Sequence, residues 1–209
     1  MKNLYLLTVL FAALFMVACD GGNASQNSSA TPAPAPATAP DLVGFTLQDF
    51  GNGIQKANKK DESGKVVEEG ELINNIKTGT WVTYHPKDSR IKSISNYING
   101  KKNGIYLELN DRGSVDLQCY YKEDILDGKW VKYKFGSRSE KEIDYKMGQI
   151  DGFYREYHSN GKRQKEIAYK NGKQDGKFRQ FNDKEQVIME YEYKNGKKVS
   201  GGIVTPPAE

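Results

Sequence analysis

The 209-residue sequence predicts an all-β fold, an elongated antiparallel sheet of stacked 24-residue β-hairpin repeats, preceded by a signal peptide and a disordered linker. Tyr97, Tyr121, Tyr145, Tyr169 and Tyr193 stand 24 residues apart, and a fixed period of this kind marks a repeat architecture. Gly79, Gly104, Gly128, Gly152 and Gly176 keep the same beat, at intervals of 25, 24, 24 and 24. Within each period, apolar and polar residues alternate at period two, as strands do, rather than at 3.6. A two-helix solenoid unit needs about 33 residues, more than the repeat provides.

The chain opens with one charge, Lys2, and a 14-residue apolar run from Leu4 to Val17. That is a secretory leader, short of the ~20 residues a spanning helix needs. Met16-Val17-Ala18-Cys19 resembles the lipobox of bacterial lipoproteins, with Met16 where Leu is usual. The resemblance implies cleavage after Ala18 and a lipid on Cys19, hence tethering to a membrane on the extracytoplasmic side. Asp20 resembles the inner-membrane retention signal of enterobacteria, a rule other phyla do not follow, so inner and outer membrane both stay open. Residues 19–41 form the next segment, rich in Gly, Asn, Ser, Ala, Thr and Pro, with alternating Ala-Pro from Thr31 to Pro40. Such a composition predicts a linker without a packed core, extended where proline recurs.

Residues 42–209 form the repeat domain. Two residues after each repeat glycine comes an aromatic: Trp81, Tyr106, Trp130, Tyr154 or Phe178. Five residues after it comes Tyr84, Leu109, Tyr133, Tyr157 or Phe181. In the unit from Gly152, Phe153–His158 reads as a strand and Asn160-Gly161 as a tight turn, because Asn and Gly accept positive φ. Lys165–Lys170 is the returning strand, with Ile167 and Tyr169 on one face and Glu166 and Ala168 on the other. Asn171-Gly172 and Asp175-Gly176 then mark the connection to the next unit. Phe45, Leu47, Phe50 and Ile54 are expected in capping strands. Gly201–Val204 adds a last one before Pro206-Pro207.

These features resemble the MORN repeat, in its bacterial variant Tyr-x-Asn-Gly-Lys-x-x-Gly-x-aromatic-x-x-Tyr. The run from Tyr169 through Asn171-Gly172-Lys173, Gly176 and Phe178 to Phe181 carries the pattern, and Tyr97–Gly104 carries its first half. Tyr121-Lys122-Glu123-Asp124 lacks the Asn-Gly. The resemblance spans about Leu72 to Lys198 and implies an elongated antiparallel sheet and no known chemistry. Some members are labelled antitoxin components, which implies a toxin-sequestering alternative for this chain.

No catalytic constellation is evident. His85 and His158 occupy one repeat position three units apart, roughly 30 Å, so they share neither a metal nor a proton. Glu142, Glu166 and Glu190 recur at 24 and read as cross-strand partners of Lys and Arg. Cys119, left without a partner if Cys19 is acylated, reads as a small core residue. Without its leader the chain loses only Lys2 and carries +3 instead of +4, with both signs interspersed, which argues against a nucleic-acid partner. No enzyme, cofactor or metal site is expected. The expected function is a non-catalytic, membrane-tethered binding or scaffold protein of the bacterial cell envelope. Its candidate binding face is Trp81, Tyr106, Trp130, Tyr154 and Phe178, and its candidate partners are a protein, a glycan or a lipid head group.

Overall fold

The computed structural model describes residues 41–134 and 138–206. The leader, Cys19 and the linker as far as Pro40 lie outside the described residues. The described chain forms one open antiparallel sheet of 15 strands and no helix. In chain order these are β1 (Phe45–Asp49), β2 (Ile54–Lys60), β3 (Val66–Ile73), β4 (Ile76–Tyr84), β5 (Ile91–Ile98), β6 (Lys101–Leu109), β7 (Val115–Lys122) and β8 (Ile125–Leu126). There follow β9 (Gly128–Lys134), β10 (Arg138–Lys146), β11 (Gln149–Tyr157), β12 (Arg163–Lys170), β13 (Lys173–Phe181), β14 (Val187–Lys194) and β15 (Lys197–Ile203). Neighbours in sequence are neighbours in the sheet, a run of consecutive hairpins. Only β8 steps aside: it pairs with β7 just ahead of β9, so β8 and β9 together fill the place of one strand.

Two kinds of turn alternate along the sheet. The tight one is the two-residue Asn171-Gly172, at φ 48° and 76°, with Asn99-Gly100 and Asn195-Gly196 alike. Two positive φ values define the turn that matches strand twist. Glu123-Asp124 (51°, 68°) and Met147-Gly148 (49°, 79°) are held in the same turn without the favoured residues. The other connection is a wider loop, six residues at His85–Arg90 and five at four other places among the described residues. In His158–Lys162 the first amide donates to the fifth carbonyl at 2.8 Å, and Asp61–Lys65, Asn110–Ser114 and Asn182–Gln186 close likewise. Asn160-Gly161, expected as a tight turn, lies inside this wider loop, and only Gly161 has positive φ.

Asp175-Gly176 is not a connection but part of β13. Ile167 pairs with Phe178 and Tyr169 with Gln174, so β13 carries two extra residues between these rungs. The chain absorbs them as a bulge at Gly176, whose φ is 105°. Gly152 does the same in β11 at φ 123°, where a Cβ would stand 2.7 Å from that of Asp144. Because the glycine bends the strand rather than ending it, β11 begins at Gln149 and not at Phe153; β12, entered from the His158–Lys162 loop, begins at Arg163 and not at Lys165. The acidic residue before the glycine also has a use. Asp151 and Asp175 carboxylates accept from the turn amides of Asn171 and Asn195 at 3.0 and 3.1 Å, tying each turn to the unit before it. On the opposite edge, Arg138 donates to the Ser159 carbonyl at 2.8 Å and ties successive loops together.

The capping region is a full part of the sheet, with Phe45 and Leu47 in β1 and Ile54 opening β2. Here lies the main apolar cluster: Ala57, Leu72 and Trp81, covered by Leu42, Phe45 and Tyr97. The last strand is longer than Gly201–Val204, running from Lys197 to Ile203.

Candidate functional site

Strand alternation sorts the side chains into two faces. One face carries a transverse row that alternates large with small. Trp81 pairs with Ser95, Tyr106 with Cys119, Trp130 with Ile143, Tyr154 with Ile167, and Phe178 with Tyr191. The aromatics sit on the first strand of each hairpin, and their partners on the second are smaller except at Tyr191. Ser95, Cys119, Ile143 and Ile167 are buried, while Tyr106, Trp130, Tyr154 and Phe178 stay half-exposed. Beside this row runs the ladder Tyr97, Tyr121, Tyr145 and Tyr169, each opposite a repeat glycine. Tyr106 and Tyr121 meet edge to face at 6.1 Å.

Trp81 differs from the other four candidates. It is only 2% exposed, meets Phe45 and Tyr97 edge-on at 5.9 and 6.3 Å, and donates from Nε1 to the Glu71 carbonyl at 3.1 Å. Its ring occupies the space a side chain at Gly70 would need. Trp81 therefore anchors the N-terminal core, and the accessible part of the row is Tyr106, Trp130, Tyr154 and Phe178.

Ammonium groups lie over several rings of this face. Lys77 Nζ stands 3.7 Å from the Trp81 ring centre, Lys102 Nζ 5.0 and 5.1 Å from Tyr106 and Tyr121, and Lys141 Nζ 5.3 Å from Tyr154. Lys132 and Lys141 face each other across β9 and β10, yet each has a carboxylate. Glu140 lies 3.7 Å from Lys132, and Glu156 lies 3.7 Å from Lys141 and 2.7 Å from Lys165. Glu156 also accepts from the Tyr154 hydroxyl. Burial pushes its carboxyl up, but Lys165 and Tyr154 outweigh that and hold it below the usual range. Around Trp130 lies a recess of about 500 Å³, walled by Glu108, Asp116, Leu117, Lys132, Glu140 and Lys141. A second, of about 340 Å³, shares Glu140 and Lys141 with it and reaches His158.

The opposite face carries a different row. Val82, Ile94, Leu107, Gln118 and Val131 follow one another across the N-terminal half. Glu142, Arg155, Glu166, Arg179 and Glu190 continue it, each directly opposite the next. Glu166, 6% exposed, receives Arg155 at 2.9 Å and Arg179 at 3.6 Å. Arg179 also donates to Glu190 at 2.8 Å, and this bond first, then Lys177, holds the Glu190 carboxyl below its ordinary range. The repeated glutamates thus have arginine neighbours within and between units.

His85 and His158 each open a loop or turn segment and point at the next unit. Nε2 of His85 donates to the Leu109 carbonyl at 3.2 Å, and Nε2 of His158 to that of Phe181 at 3.5 Å. Cys119 is a free, buried thiol that burial pushes up. Among the described residues no cluster of three or more His, Cys, Asp and Glu could hold a metal ion. No protein-family model matches the chain, and no curated protein is significantly similar to it. An aromatic strip rimmed by lysines is legible in the sequence, whereas the two recesses are not. Lys77 and Lys102 each stand two residues before a repeat glycine.

Proposed function

We propose that the protein is a non-catalytic binding or scaffold protein of the bacterial cell envelope, tethered by a lipid on Cys19, whose ligand lies against the aromatic face. The observation that supports this reading is the half-exposed row Tyr106, Trp130, Tyr154 and Phe178 on an open sheet, with the Lys102 and Lys141 ammonium groups set over Tyr106 and Tyr154. A row of rings beside paired charges combines apolar contact with hydrogen bonding and suits recognition, not turnover.

The two halves of the reading are tested separately. Cys19→Ser should move the protein from the membrane to the soluble fraction, and retention of that variant at the membrane would remove the tether. Trp130→Ala with Tyr154→Ala should abolish retention of envelope material by the full-length protein, while Lys177→Ala on the opposite face should not. Equal retention by all three proteins would remove the aromatic face as the ligand site.

A further inference from the structure

The chemistry of the aromatic row narrows the class of ligand, given the binding face proposed above. Tyr106, Trp130, Tyr154 and Phe178 recur on every second strand of a continuous sheet, so their backbone positions advance by roughly 9.6 Å. That step is close to the length of a disaccharide of 1,4-linked pyranoses. Pyranose rings present apolar C–H faces, which stack on aromatic rings, and a rim of hydroxyls, which need both donors and acceptors.

Both are present beside the row. Lys132, Lys141 and Lys165 supply donors, and Glu140 and Glu156 supply acceptors, in pairs 2.7 to 3.7 Å apart. Around Trp130, Lys132 and Lys141 are interspersed with Glu108, Asp116 and Glu140. A strongly anionic ligand would meet three carboxylates in this recess, and a strongly cationic one two ammonium groups. An uncharged polyhydroxylated chain would meet neither penalty and could engage each charged pair from both sides. We infer that the aromatic row is a platform for an uncharged, linear 1,4-linked glycan, laid across the strands with one aromatic ring per disaccharide.

Titration of the full-length protein in detergent with a β-1,4-linked N-acetylglucosamine hexamer tests this, followed by Trp130 fluorescence and calorimetry. The hexamer should bind, the dimer should bind at least about tenfold more weakly, and added salt should change little. Trp130→Ala and Tyr154→Ala should each weaken the hexamer about tenfold, with thermal melts near that of the parent, and Trp130→Phe should retain binding. Stronger binding of a carboxylated oligogalacturonide hexamer would overturn the uncharged assignment. Failure of the hexamer, with envelope material still lost on Trp130→Ala, would overturn the glycan while leaving the binding face intact. Indifference of every ligand to both substitutions would overturn the two together.

Discussion

Individual residues carry much of the strain and much of the charge. Met147 is exposed and held at φ 49°, a conformation that costs an ordinary side chain about 1 kcal/mol, while Gly148 beside it suits the turn. Asn is the residue used at the equivalent Asn99, Asn171 and Asn195. Met147→Asn should therefore raise stability by about 0.5–1 kcal/mol in chemical denaturation. The ionisable groups set the pH limits. Glu69, Glu156 and Glu190 have folded-state carboxyls held below their ordinary value of 4.5. Their contribution is complete above that value and is lost as falling pH protonates the folded state, so melting temperature should drop below about pH 4.5. Tyr84 is pushed up to about 12 by its bond to Glu69, and Tyr121 and Tyr157 to about 12 by burial. Their contribution is complete below pH 10 and disappears as pH rises toward 12. Ultraviolet titration should show these phenols ionising late, together with unfolding.

At the scale of elements, the hairpin depends on its bulge. Gly152→Ala puts a Cβ at φ 123° and 2.7 Å from that of Asp144, and should cost about 1–3 kcal/mol by denaturant melting. The same change at the loop glycine Gly161, with open space around it, has only the φ cost to bear. This contrast also shows what was legible in the sequence. The period, the strand alternation and the faces of Glu166 and Ile167 could be read directly from residue spacing. The role of the repeat glycine could not, because a bulge and a turn both call for positive φ, and only pairing with the opposite strand tells them apart. The same ambiguity placed the tight turn at Asn160-Gly161, where the chain makes a five-residue loop. Trp81 looked equivalent to Trp130 in sequence. Only Gly70 and Phe45, brought in from strands outside the clear repeats, bury one and leave the other half-exposed.

As a whole molecule, the sheet behaves as a one-dimensional array, since each strand leans on its neighbours in sequence. Its two halves are held differently. The N-terminal half has an apolar cluster at Ala57, Leu72 and Trp81, whereas the C-terminal half has the ion ladder from Glu142 to Glu190. Amides of β12 to β14 should thus lose protection from hydrogen exchange before those of β3 to β5 when the pH is lowered toward 4. The two faces of this single sheet offer different things. One has aromatic rings with lysines over them, and the other an apolar stripe and a self-neutralised ladder. The proposed function assigns the ligand to the first. Oxidative footprinting on intact cells and on purified protein compares the two faces directly. In cells, Trp130 and Tyr154 should be labelled less than in the purified protein, with Tyr120 and Tyr133 on the opposite face unchanged. Equal labelling of Trp130 and Tyr154 in both settings would contradict the assignment.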